Sequence, residues 1–156
     1  MRCFCLLIGL LVLTFMPARA GHSAPKIVFR IHVQTTGEGL SAQQATVIRI
    51  PPNGDPVQVR TLPEITEQEI VDVQPNAAGG IHVTFNHVGT VALNAVTAQN
   101  QGRLLVVLID GFVIYAPIID EQIENGQLDI PHPISPQIVQ LLQDQARKNV
   151  KQAARS

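Results

Sequence analysis

Residues 104–117 limit what this chain can fold into more than any other stretch. An unbroken apolar segment leads into Asp110-Gly111, and a second apolar segment follows before Pro117. Asp-Gly favours a two-residue type I′ turn, because both central positions need positive φ. Apolar residues on both faces indicate two central strands covered on at least one side by helices, since so apolar an edge strand would aggregate. We therefore predict a buried β-hairpin whose core residues are Leu105, Val107, Ile109 and Val113.

The N-terminus has the pattern of a secretory signal peptide at residues 1–20. Arg2 supplies a positive n-region, residues 4–16 an apolar h-region, and Ala18-Arg19-Ala20 a small-x-small cleavage site. That h-region is shorter than the roughly 20 residues that a membrane span requires. We predict cleavage after Ala20, a periplasmic or secreted location, and a mature chain without a stable membrane span. An uncleaved anchor is the alternative.

Both cysteines, Cys3 and Cys5, lie inside the predicted signal peptide. The mature chain would therefore lack disulfides, catalytic thiolates and cysteine-ligated metal sites. Cleavage would also remove Arg2 and Arg19 from the 11 basic residues, and the 12 acidic residues then give a net charge of −3. A mildly acidic exported chain is a poor ligand for nucleic acid, so we expect no nucleic-acid partner.

Strand patterns occupy much of the remaining chain. Apolar and polar residues alternate over residues 26–34 and again over 81–86, which predicts half-buried strands. Residues 46–50 and 57–60 flank a connector rich in Pro, Asn and Gly, which predicts a hairpin at the margin of the sheet. Residues 127–130 form a further candidate strand.

Three segments have helical signals. Thr66 and Glu69 form a capping box that predicts a short helix over residues 67–73. An apolar stripe that includes Val91 predicts a second helix from residue 89 or 90 to residue 100. Ser135-Pro136 opens a terminal helix over residues 136–150. We predict a single α+β domain over residues 21–156, in which helices cover one face of a sheet. It has a strand-rich part at 26–75 and a second part at 80–150.

Residues 102–119 resemble the pattern G-x-x-L-A-I-V-L-D-G-x-V-x-x-A-P-x-I of the periplasmic head of SecD, an accessory subunit of the export translocase. The resemblance covers residues 80–147 and includes Gly126 and the Ser135-capped helix. It implies a ferredoxin-like α+β sheet with helices packed on one face. SecD proteins continue into a multi-span membrane motor, whereas this sequence ends at Ser156, so we expect an exported head domain alone. Pro131-His132-Pro133 also replaces the usual glycine before the last helix.

Catalytic and metal-binding patterns are weak. None of the five histidines lies in an H-x-H or H-E-x-x-H motif, and His32 and His82 alternate outward on predicted strands. We therefore predict surface histidines, no metal and no cofactor. No G-x-S-x-G motif occurs, and the acidic cluster Asp120, Glu121 and Glu124 has no nucleophile beside it, so we predict that the chain is not an enzyme.

Binding remains as the predicted activity. Pro117 should stop the second strand, so that the next residues can present Ile118 or Ile119 beside Asp120, Glu121 and Glu124. These five residues form a candidate surface for an extended polypeptide or an envelope or export protein. Both isoleucines could instead fold back into the core. Asp110 and Gly111 are assigned a structural turn only. The alternative function is a periplasmic small-ligand or metal-binding sensor domain.

Overall fold

The computed structural model describes residues 26–36 and 44–155, so the predicted signal peptide lies outside the described residues. Its helices are α1 (His87–Gln99) and α2 (Pro136–Ala153), and a single 3₁₀ turn spans Glu67–Glu69. The strands are β1 (Phe29–Val33), β2 (Ala45–Ile50), β3 (Asp55–Arg60), β4 (Ile65–Thr66), β5 (Ile70–Pro75), β6 (Ile81–Phe85), β7 (Leu105–Ile109), β8 (Phe112–Tyr115) and β9 (Gln127–Ile130).

The strands form three antiparallel sheets with the orders β4-β1-β7-β8, β5-β6-β9 and β2-β3. The α+β class is confirmed, although β6 and β7 lie in different sheets where the sequence suggested one. The predicted hairpin forms, and β7 is central. The expectation that β8 would also be central is wrong, because β9 pairs with β6 and, among the described residues, no strand pairs with the outer side of β8.

Strand β7 is buried on both faces. Leu105, Val107 and Ile109 point into the main core, which lies between the four-stranded sheet, the three-stranded sheet and the two helices. Val106 and Leu108 point the other way and pack against Val57 and Val59 of β3, and Val113 is half-buried beside them. The β2–β3 hairpin therefore covers a face of the sheet, where the sequence had suggested a position at its margin.

His32 corrects a second expectation, because it is buried and only 4% exposed. Its Nδ1 lies 2.8 Å from the carbonyl oxygen of Arg60 at the end of β3. The hairpin that covers the sheet therefore also covers this imidazole. His82 lies on the exposed side of β6, as predicted, with its Nδ1 3.1 Å from Asp129 Oδ1.

The capping box at Thr66 and Glu69 is present, but the helix predicted over residues 67–73 is wrong. The Thr66 amide donates to Glu69 Oε2 at 2.8 Å, and the Thr66 hydroxyl oxygen accepts from the Gln68 amide. Only one 3₁₀ turn follows the cap. The next residues, which are rich in β-branched side chains, instead pair with β6 as strand β5.

The two long helices form where capping residues precede them. Asn86 Oδ1 accepts from the Gly89 amide at 2.9 Å and starts α1 slightly before the predicted position. Val91 is exposed, so its assignment to the buried stripe is wrong. Ser135 caps α2, which buries Leu142 and Ala146 and extends beyond residue 150. Within the described residues, neither helix has the length and apolar content of a membrane span.

Candidate functional site

The segment that follows β8 is fixed by backbone hydrogen bonds to the connection between α1 and β7. The Leu105 amide donates to the Pro117 carbonyl at 2.9 Å, and the Ile119 amide donates to the Arg103 carbonyl at 2.8 Å. Successive side chains of such an extended segment point to opposite sides. Ile118 is accordingly 62% exposed, whereas Ile119 is 5% exposed and belongs to the main core. Only Ile118 of the predicted pair offers its side chain to a partner.

Residues 120–126 are held against α1 by side-chain hydrogen bonds. The Ile123 amide donates to Thr97 Oγ1 at 2.9 Å, and Gln122 Nε2 donates to Asn94 Oδ1 at 3.1 Å. Gly126 has a φ of +66° and fits tightly beside Thr90, because a Cβ atom there would lie 2.1 Å from Thr90 Oγ1. The loop therefore has a defined path.

An open groove of about 520 Å³ lies between this loop, the end of β8 and strand β9. All five candidate residues line it, together with residues that the sequence did not suggest, among them Tyr115, Leu128 and Asp129. We call this space the acidic groove. Asp129 was missed because it lies in another sheet, although its outward position in the alternating strand β9 was visible in the sequence.

The acidic groove carries an excess of negative charge. Asp120, Glu121, Glu124 and Asp129 line it, and the described lining residues include no lysine or arginine. Burial raises the pKa of the Tyr115 phenol above its usual value, and the charges of Asp129 and Asp120 raise it further. The groove therefore favours cationic groups over anionic ones.

Asp110 and Gly111 form the turn between β7 and β8, with φ values of 50° and 84°. Asp110 also ties this turn to the start of β1, because its Oδ1 accepts from the Val28 amide at 2.9 Å. In the part of the chain that the structure describes, no three His, Cys, Asp or Glu residues cluster closely enough to hold a metal ion.

Comparison with known proteins identifies the family to which this fold belongs. The model of the family described as SecDF, P1 head subdomain, matches residues 41–147. The chain belongs to this SecDF head family. The match begins well before residue 80, where the sequence resemblance had been expected to start, so it includes the β2–β3 hairpin that buries His32. No curated protein sequence matches the chain significantly.

Two solved structures are similar to this SecDF head domain. One is a structure of SecDF described as a membrane component that enhances protein export, with 20% identity, a TM-score of 0.55, and coverage of 78% of this chain and 62% of that chain. The other is SecDF in a super-membrane-facing form, with 22% identity, a TM-score of 0.54, and coverage of 74% and 18%. The chain thus spans less than two thirds of either protein, and the likeness concerns the fold.

Proposed function

We propose that this chain is an exported, non-catalytic module that binds extended polypeptide or an envelope partner protein in the context of protein export. Membership of the SecDF head family supports the export context. The observation that carries the binding proposal is the acidic groove, in which exposed Ile118 lies beside four carboxylates and no lysine or arginine is among the described lining residues. An apolar contact and a negative field in one open groove suit a segment with apolar and basic residues.

The two neighbouring isoleucines have different roles in this proposal. Ile119 anchors the loop, because its side chain is in the core and its backbone pairs with residues 102 and 103. Ile118 provides the apolar contact for the bound segment. The carboxylates act over a longer distance and raise the association rate of basic segments, an effect that salt weakens.

Photo-crosslinking from position 118 in cell-envelope extracts tests the binding proposal. A photoreactive residue at 118 should capture polypeptide, because that side chain reaches the open groove. The same residue at Val47, which is also exposed but lies on β2, is the matched control and should capture much less. Equal capture from both positions, or capture of nothing beyond background at 118, would contradict the proposal.

Charge neutralisation tests the electrostatic part. We expect the triple variant Asp120→Asn, Glu121→Gln, Glu124→Gln to bind a basic peptide at least about tenfold more weakly at low salt, with the loss mainly in the association rate. A control variant neutralises three acids outside the groove, Asp55, Asp72 and Asp144. An equal loss in the control would assign the effect to net charge and not to the groove.

Export is tested separately by N-terminal sequencing of the protein recovered from the periplasm or the medium. We expect the mature chain to begin at Gly21. A chain that begins at Met1, or one that is found only in the cytosol, would contradict export and cleavage.

A further inference from the structure

Strand β8 has an uncovered, apolar edge. It is the last strand of its sheet, and among residues 26–36 and 44–155 no strand pairs with its outer side. Its sequence, Phe-Val-Ile-Tyr, has no charged residue, and Phe112 is 73% exposed. Unpaired edges of this kind readily accept another extended chain.

The other outer strands differ from β8. Side chains of α2 cover β5, where Gln143 donates to the Val73 carbonyl and Asn149 donates to the Ile70 carbonyl. Strand β9 places charged Asp129 outward, and β4 has only two residues. Among the outer strands of the four-stranded and three-stranded sheets, β8 therefore has the edge most receptive to a further strand.

The register shows which backbone groups of β8 point outward. Ile109 pairs with Phe112 across the two-residue turn, and this pair exchanges hydrogen bonds. Val113 lies opposite Leu108 in the next, non-hydrogen-bonded pair, so its amide and carbonyl point away from β7. A bulge follows at Ile114, and Pro117 accepts from Leu105, so by alternation the backbone groups of Ala116 also point outward.

Residues of this strand line a mainly apolar trench of about 410 Å³. The turn of the β2–β3 hairpin also lines the trench, and so does His132, which contacts the Tyr115 ring edge-on. The lining residues are Ile50, Pro51, Pro52, Val113, Ile114, Tyr115, Ala116 and His132. Tyr115 lines the acidic groove as well, so the trench and the groove adjoin at this residue.

We propose that an extended polypeptide segment adds to the free edge of β8 as an extra strand, with apolar side chains in the trench and a basic side chain in the acidic groove. This rests on the proposed function and specifies how the polypeptide is held. The outward groups of Val113 and Ala116 supply main-chain hydrogen bonds, the apolar walls take alternate side chains, and the carboxylates select a cation at the end of the strand. Recognition of this kind depends on the shape and polarity of the bound segment more than on its exact sequence.

Amide hydrogen exchange of the full chain tests strand addition directly. The probe is a synthetic nine-residue peptide of alternating Thr and Val with a Lys at each end. We expect the peptide to protect the amides of Val113 and Ala116, which point outward. The amide of Phe112, which is already paired with Ile109, should change little. A change confined to residues of the acidic groove would overturn strand addition while leaving the proposed function in place.

A pair of variants provides the second test. Val113→Pro removes the outward donor without removing a bond to β7, whereas Val113→Ala removes the same side chain and keeps the donor. We expect the proline variant to bind the peptide at least about tenfold more weakly than the alanine variant. Equal affinities, with both variants folded, would overturn the proposal.

Three further outcomes are distinguishable. Protection of Val113 that grows with protein concentration in the absence of peptide would assign the edge to a second copy of this chain and overturn the peptide proposal. Absence of peptide binding, together with absence of crosslinking from position 118, would overturn the strand addition and the proposed function together. Crosslinking from position 118 without protection of Val113 would overturn only the strand addition.

Discussion

His32 lies where β1 meets the β2–β3 hairpin, and its imidazole has little contact with water. Burial lowers its pKa below 6.5, and the charge of Arg30 acts in the same direction. The hydrogen bond to the Arg60 carbonyl and the charge of Glu64 oppose this shift without cancelling it. The neutral form is therefore the one that fits the folded protein.

We predict that His32 makes the chain less stable as the pH falls below about 6.5. Above that value the imidazole is neutral in both states, so it contributes no pH dependence. Below it the unfolded chain binds the proton first, and stability falls until the folded protein also becomes protonated. Urea unfolding between pH 8 and pH 5 measures this loss. His32→Gln should flatten the profile, whereas exposed His87→Gln should not; identical profiles for all three proteins would contradict the prediction.

Gly126 determines the path of the loop that forms one wall of the acidic groove. Its positive φ disfavours other residues, and its close contact with Thr90 leaves no room for a side chain. This glycine was noted in the sequence only as part of a family pattern. The contact with α1 supplies the physical reason for a glycine there.

We predict that Gly126→Ala lowers the melting temperature more than Gly54→Ala does. Gly54 also has a positive φ, at 74°, but a Cβ atom there would meet nothing within 4 Å. The Gly54→Ala control therefore measures only the stability lost to backbone strain, about 1–2 kcal/mol. The variant at 126 adds a steric clash with Thr90, and thermal unfolding of both proteins measures the difference. Equal losses would show that the loop can move away from α1 without cost.

Local sequence signals correctly predicted elements whose contacts are close in sequence. They failed where contacts with distant residues determine the secondary structure or the burial. The Asp110-Gly111 turn predicted the β7–β8 hairpin, and Ser135 predicted the start of α2. The capping box at Thr66 formed as expected, but pairing with β6 turned the following residues into a strand. The edge position of β8 depends on the pairing of β9 with β6 instead of with β8. The burial of His32 depends on β3. No local sequence pattern indicates either contact.

The same limit applies to the candidate site. Composition and the position of Pro117 identified the segment that lines the acidic groove, and the structure brings all five residues to it. The division between exposed Ile118 and buried Ile119 depends on hydrogen bonds to residues 102 and 103. Those bonds cross from one element to another, so the sequence left both isoleucines as candidates.

At the scale of the whole fold, the described residues form two apolar clusters of unequal size on opposite faces of the four-stranded sheet. The main core joins that sheet to both helices and to the three-stranded sheet. The smaller cluster holds only the β2–β3 hairpin against β7, through Val57, Val59, Val106 and Leu108. Beyond this cluster, few hydrogen bonds join the hairpin to the sheet, among them those of His32 and Thr35, so we expect it to separate while the main core stays intact.

We predict that native-state hydrogen exchange in low denaturant shows the hairpin opening before the rest of the domain. Val59→Ala should weaken its docking by about 2 kcal/mol and speed exchange in β2 and β3, with little change in α1. Val83→Ala, which truncates an equally buried valine in the main core, should speed exchange throughout the domain. Uniform acceleration by both variants would show that the two clusters unfold as one unit.

The bulge at Ile114 and the proline at 117 also determine how long a bound strand would remain. Between the turn and that proline, β8 offers outward backbone groups only at Val113 and Ala116, and the bulge changes their spacing. A strand held by so few main-chain bonds dissociates rapidly, and differences in affinity are expressed mainly in the dissociation rate. A short residence time suits a surface that must hold a moving chain and then release it. The same short edge also offers too few unpaired backbone groups to template the growth of a fibril.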